Sequence, residues 1–246
     1  MTVEIAERPA ASELKLLEQT RVSLEKLRIQ MGNRISALER GTDDATDEIA
    51  LTYQRIYEAS QGWEEEVESL LARQVRAHPV WDYWLKHVKG VGPGLAAQML
   101  ALLLPPLPDR GPSTWYKAAG LIVEEHDGLN RLPRARAGGG KIQHHPWLRR
   151  CLWLLATSFV RVGGYYREVY EDRKARLQAQ HAGDANWPPY RLDSVARWIT
   201  VKLFLAHLWE VWLEAEGKTG RRAYVIDHLG HHYVAPPRPN GDGKKL

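Results

Sequence analysis

The sequence predicts an all-α protein, on three observations. Apolar residues recur at helical and heptad spacing across the first 78 residues. A Gly90-Val91-Gly92-Pro93 run lies between two helical patterns. Two long, strongly apolar helical patterns in the second half carry five of the ten tryptophans. Together they predict an antiparallel coiled-coil helical hairpin over residues 12–78. A compact helical domain with a helix-hairpin-helix element follows over 79–216, and then a basic, proline-rich tail over 217–246.

The hairpin is read first. From Ser12 the pattern Leu14, Leu17, Leu24, Leu27, Met31, Ile35, Leu38 is helical, and Leu17, Leu24, Met31 and Leu38 are spaced by sevens, as a coiled-coil seam requires. Gly41 should end this helix. Thr42-Asp43-Asp44 is a turn and N-cap signal, and Asp47-Glu48 suits a first helical turn. The second helix should place Ile49, Tyr53, Ile56, Tyr57, Trp63, Val67, Leu70 and Leu71 on one face and end near His78-Pro79. Such a hairpin exposes a long apolar stripe, which must pack on another part of the chain or on a second copy; a homodimer or higher oligomer through residues 12–78 is the favoured expectation. The acidic group Asp43, Asp44, Asp47, Glu48 reads as capping and a solvated face, not as a metal site.

The run Lys89-Gly90-Val91-Gly92-Pro93-Gly94 reads as a tight two-glycine hairpin between helices. Glycine tolerates left-handed backbone, and without a Cβ a phosphate can approach closely. The following helix aims free N–H groups and its positive dipole end at that phosphate. This grips nucleic-acid backbone without reading bases. Taken alone, the stretch also fits an ordinary helix connection with a glycine cap.

Pro105 to Pro112, with four prolines in eight residues, cannot be helical. Ser113 should cap a short helix from Thr114 to Ala119, closed by Gly120, and Leu121-Ile122-Val123 a strand or loop edge. From Gly128 to Arg150 the chain holds Arg131, Arg134, Arg136, Lys141, Arg149 and Arg150 without one acidic residue, around Gly138-Gly139-Gly140. That composition suits a second phosphate clamp, and also a plain basic loop. Pro146 should open a central buried helix towards Val162, broken at Gly163-Gly164. Tyr165 to Gln180 is a polar helix of alternating charge, and 181–192 a loop. Asp193 should cap a core helix from Ser194 to Glu216. The last ten residues are expected to be disordered. Trp147, Trp153, Trp198, Trp209 and Trp212 fall at helical spacing with aliphatics, as core aromatics do.

Charge divides the chain. Residues 1–75 hold 15 acidic and nine basic side chains, out of 30 and 34 in all, a balance of −6 there and +10 beyond. A basic C-terminal part suggests a polyanionic partner. Cys151 is the only cysteine, so no disulfide can form within one chain, and no signal peptide is visible; both fit the cytoplasm. The longest apolar run is too short to span a bilayer. In the tail, His228 and His232 sit four apart beside Asp227, but Gly230 argues against a rigid metal site.

The order of these elements resembles the C-terminal half of the insertion-sequence one-ten transposase family, also called the one-sixteen or nine-oh-two group. The resemblance rests on a helical hairpin before Gly90-Val91-Gly92-Pro93, on Trp115-Tyr116-Lys117-Ala118-Ala119-Gly120-Leu121, on Lys141-Ile142 in a basic glycine-rich loop, and on Trp147-Leu148-Arg149-Arg150 opening an apolar helix. It covers about residues 80–216. It implies a DNA-binding protein taking part in transposition or recombination of a mobile element, with structured RNA as a possible second partner. The family's nuclease-like domain, with its metal-binding carboxylates, is not found in this sequence, so Mg²⁺ is expected only through a separate nuclease-like chain. The family's serine nucleophile, just before the basic helix, has no counterpart either: residues 121–155 contain no Ser, Thr or Tyr. Cys151 lies in apolar helix, where a thiol tends to be inert, and Ser113 reads as a cap, so no catalytic residue is assigned. The expected nucleic-acid-binding residues are Lys89, Gly90, Val91, Gly92, Gly94, Arg131, Arg134, Arg136, Lys141, Arg149 and Arg150. A truncated, split or decayed transposase fits this pattern. The alternatives are a non-catalytic dimeric DNA- or RNA-binding architectural or regulatory protein, and a module whose basic surface binds an acidic protein.

Overall fold

The computed structural model describes residues 11–41, 46–126, 129–133, 144–219 and 233–238. These form an all-helical fold. The first pair is α1 (Ala11–Glu39) and α2 (Asp47–Arg76). Their contacts run in opposite directions: Arg21 meets Glu64 and Glu68, Gly32 meets Tyr57, and Arg34 lies over Tyr53. The hairpin is therefore antiparallel. The cap of α2 is Thr46, whose hydroxyl accepts from the Ile49 amide; Asp43 and Asp44 lie outside the described residues.

The seam departs from the apolar one expected. Leu14, Val22 and Met31 are buried, but so are Glu18, Arg21, Glu25 and, from α2, Ser60 and Glu64. Trp63 and Ile49, expected on the inner face, are exposed. The reason is charge pairing. Arg21 donates to both oxygens of Glu18 (2.8 and 2.9 Å) and to Glu25 (3.1 Å), while Arg28 donates to Glu64 (2.7 Å). These bonds satisfy groups that would otherwise be costly to bury.

The compact part follows as α3 (Pro79–Tyr83), a 3₁₀ turn at Leu85–His87, α4 (Pro93–Leu102), α5 (Ser113–Ala118), strands β1 (Glu124–His126) and β2 (Leu129–Arg131), α6 (Pro146–Val162), α7 (Tyr165–Gln180) and α8 (Pro189–Ala215). The helix before the glycine bend is thus one short helix and a 3₁₀ turn. Trp84 interrupts it at φ −149°, its indole buried and donating to the Pro237 carbonyl at 2.7 Å. The antiparallel β1–β2 pair, with His126 opposite Leu129, was not expected. The Asp127-Gly128 pair between them is a hairpin signal, masked by the charged flank Glu124-Glu125-His126.

α8 also starts earlier than expected. Pro189 at its first position fixes a helical φ. Asp193 is therefore inside the helix. It accepts from Arg197 (2.7 Å), from Lys174 and from the Tyr170 hydroxyl. Gly163 and Gly164, at φ 92° and 90°, separate α6 from α7 as expected. Trp209 and Trp212 are core residues, joined by Trp84 and Trp115, whereas Trp147, Trp153 and Trp198 are half-buried. Among the described residues, no helix is long and apolar enough to cross a membrane.

The tail is partly fixed. Pro236 and Pro237 are buried, and Arg238 donates to Glu214 at 2.6 Å, so the expected disorder does not extend to 237–238. Fully buried His207 donates from Nε2 to the Val234 carbonyl (3.0 Å), leaving Nδ1 to accept from the Tyr166 hydroxyl (2.8 Å). Burial pushes this imidazole down to about 4; the Arg238 charge adds to the shift and the Val234 bond opposes it.

Two outcomes are expected. Arg21→Met leaves Glu18, Glu25 and Glu64 without their shared cation and should cost roughly 3–5 kcal/mol in urea unfolding. Because the folded His207 pKa lies below its ordinary 6.5, its contribution is complete above pH 6.5 and is lost as pH falls towards 4. That loss amounts to at most about 3 kcal/mol. A His207→Gln variant should show a shallower decline of stability across that window than the parent.

Candidate nucleic-acid interface

Lys89 to Leu95 runs along α6 in the opposite direction. Lys89 rests on the Gly163–Gly164 break, where a Cβ on Gly164 would lie 3.0 Å from the Lys89 Cδ. Gly90 sits on Ser158 and Phe159, and Leu95 presents its carbonyl to the Cys151 thiol at 3.9 Å. Gly90 adopts φ 90°, and a Cβ there would come within 3.1–3.3 Å of Phe159 and the Ser158 backbone. Its carbonyl accepts from the Ser158 hydroxyl at 2.8 Å. Gly90 and Val91 therefore serve helix packing. Gly90 is partly buried against α6, and Val91 is buried in the core.

Gly92 and Gly94 differ. Both are exposed, and a Cβ on either meets nothing within 4 Å. Gly92 is the extended N-cap of α4, at φ −83°, and Pro93 occupies its first position. The amides of Gly92, Gly94 and Leu95 have no hydrogen-bond partner among the described residues. These are the unsatisfied donors of a helix N-terminus. Exposed Lys89 stands three residues before Gly92, and no carboxylate among the described residues lies within ion-pair distance of it.

The basic strip divides. Arg134, Arg136 and Lys141 lie outside the described residues, as do Asp227, His228 and His232. Arg131 ends β2. Arg149 and Arg150, in the first turn of α6, are engaged within the chain. Arg149 donates to the Pro133 carbonyl at 2.6 Å and lies over the Trp198 ring. Arg150 donates to Glu25 at 2.6 Å and lies over Trp147. Burial would raise the Glu25 carboxyl, but the Arg150 bond, helped by Arg21, holds it below its ordinary range.

Arg161 was not anticipated. It is exposed in the last turn of α6, and no carboxylate among the described residues pairs with it. Arg150, Leu154, Thr157 and Arg161 follow a 4-3-4 spacing and share one face. On a helix rising 1.5 Å per residue, Arg150 and Arg161 stand about 16 Å apart and bracket the level of the glycine bend. The cation at the far end of an otherwise apolar helix was the available signal.

Cys151 does not offer nucleophilic chemistry. Burial pushes its thiol up to about 12, with a smaller push from Glu18. Among the described residues, no group of three or more His, Cys, Asp or Glu side chains is arranged to hold a metal ion. Compared with models of known protein families and with curated proteins, the sequence matches none.

Gly90 and Gly92 are expected to separate in their effects. Gly90→Ala should lower stability by about 1–3 kcal/mol, from positive φ and the crowding at Phe159. Gly92→Ala should stay within about 0.5 kcal/mol. Denaturant midpoints of the two variants check this.

Proposed function

We propose that this chain binds nucleic acid through its backbone, as a DNA-binding relative of mobile-element transposases. One observation carries the reading: the amides of Gly92, Gly94 and Leu95 at the start of α4 and the cation of Lys89, three residues before Gly92, have no partner among the described residues. Amides and a lysine at the start of a helix suit a phosphate, because these donors have no described partner and the helix dipole favours an anion. Arg161 extends the positive edge along α6. Arg131, Arg134, Arg136 and Lys141 belong to the proposal on the sequence alone. Arg149 and Arg150 contribute to the shape of the region through their intramolecular bonds.

The second reading is a non-catalytic architectural or regulatory protein holding DNA or structured RNA, dimerised through the hairpin. The buried, high-pKa thiol of Cys151 and the lack of any Ser, Thr or Tyr in 121–155 favour it over strand transfer by this chain alone. The two readings share the same grip and differ in whether a nuclease-like partner chain with Mg²⁺ restores strand cleavage or joining.

Binding of duplex DNA, single-stranded DNA and folded RNA across a salt series tests the grip. Affinity should fall steeply with salt, and Lys89→Ala and Arg161→Ala should each reduce the log–log slope by about one. A slope flat with salt, or untouched by both changes, overturns the reading.

A further inference from the structure

Among the described residues, Arg149 is the expected phosphate ligand whose guanidinium is held by two elements outside its own helix. It projects from the first turn of α6, about half-buried. One N–H group donates to the carbonyl of Pro133, two residues beyond β2, at 2.6 Å. The guanidinium carbon lies 5.6 Å from the Trp198 ring centroid of α8, and Trp198 in turn leans on Trp153 of α6 at 5.3 Å. Leu132, next to Pro133, packs on the core. So a single side chain joins the end of the β1–β2 pair, α6 and α8.

The chain that returns to α6 is fixed at the same corner. The His145 amide donates to the Ala118 carbonyl at 2.8 Å, and the His144 ring lies against Gly120, where a Cβ would fall 2.7 Å from its Cγ. Gly120 has φ 66°, so glycine is required there by backbone and by space alike. Both described flanks of residues 134–143, Pro133 and His144, are thereby tied to the α5–α6 corner. Burial lowers the Arg149 pKa, so the environment does not favour this cation for its charge. Its contacts use the planar fork and the aromatic face, which distinguish arginine from lysine.

Resting on the reading of a phosphate-gripping chain, we propose that Arg149 is a positioning residue and not a phosphate ligand. It fastens the end of β2, where Arg131 lies two residues before Pro133, to α6 and α8, so that this described end of the basic strip is held at a fixed point. A direct ligand would be free to turn its fork outward. Here an outward turn would forfeit the Pro133 bond and the Trp198 face together.

The test uses the full chain with Arg149→Met, Arg149→Lys and Trp198→Leu. Amide hydrogen exchange over 124–132, measured without nucleic acid, should quicken about tenfold or more in Arg149→Met. Trp198→Leu should do the same, although it removes no charge, and Arg149→Lys should recover part of the protection. Salt-series binding to duplex DNA follows. Trp198→Leu should weaken binding along with Arg149→Met, whereas a phosphate-ligand role predicts parental binding for Trp198→Leu and a slope lower by about one for Arg149→Met. Unchanged exchange in Arg149→Met, or parental binding by Trp198→Leu despite faster exchange, overturns the proposal. Where Arg149→Met fails to fold, the charge-conserving Trp198→Leu and Arg149→Lys variants decide it by the same two readouts. If the parent chain shows no salt-dependent binding, the nucleic-acid reading fails, while the exchange comparison still reports on the fastening role.

Discussion

The site depends on one close approach, that of Gly90 to the Ser158–Phe159 backbone of α6. A side chain at residue 90 would meet Phe159, whose ring stacks on Tyr166 and tilts against Phe204. Those aromatics join α6, α7 and α8 in one core. Because the inner half of the bend is sealed there, the outer half is held steady. In the proposed grip, the amides at the start of α4 would therefore be presented by a segment already packed on α6. Preorganisation of that kind lowers the entropic cost of gripping an anion.

A second constraint orients the hairpin. Arg21 gathers Glu18, Glu25 and Glu64 between α1 and α2, and Glu25 reaches out of this group to Arg150 of α6. The hairpin is thus joined to the compact part through charges as well as through Leu14, Leu71 and Val75 in the common core. Burial of three carboxylates and their cations is weak support for stability, since well-packed apolar residues of similar volume often do as well or better. It is better suited to fixing register. The Glu25–Arg150 pair selects one placement of α1 on α6, which an apolar seam alone would not.

Much of the fold was legible because local signals agreed with packing. Both hairpin helices, the break at Gly163-Gly164 and the start of α6 at Pro146 follow from periodicity, paired glycines and a proline at the first helical position. What was not legible depended on partners distant in sequence. Glu18 and Arg21 look like solvated charges until Glu64 is brought opposite them. Trp84 looks helical until Pro237 claims its indole N–H. Asp193 looks like a cap until Tyr170 and Lys174 approach it. At the site the sequence marked the glycine run, but only packing separates Gly90, turned inward, from Gly92 and Gly94, turned outward. It likewise treated all cations alike, although Arg149 and Arg150 are bound within the chain and Arg161 meets no carboxylate among the described residues.

That last distinction bears on how a basic half-chain meets a polyanion. The excess of ten positive charges beyond residue 75 is an upper limit on the field that a phosphate ladder would feel. Within α7, Arg167 pairs with Glu171 and Arg176 with Asp172, while Arg197 and Lys174 share Asp193. Arg238 and Lys218 answer Glu214 and Glu216. Charges compensated at this range cancel beyond roughly a Debye length of 8–10 Å. The field that extends further must come from cations without a carboxylate at hand. Among the described residues of the 89–95 stretch and its supporting helix these are Lys89 and Arg161, which are exposed, and Arg149, which is half-buried against Trp198. A field concentrated at exposed cations, beside amides without a described partner, favours one location on the surface over diffuse attraction by the whole basic half. The location is set by which carboxylates the fold brings to which cations, not by how many cations the chain contains.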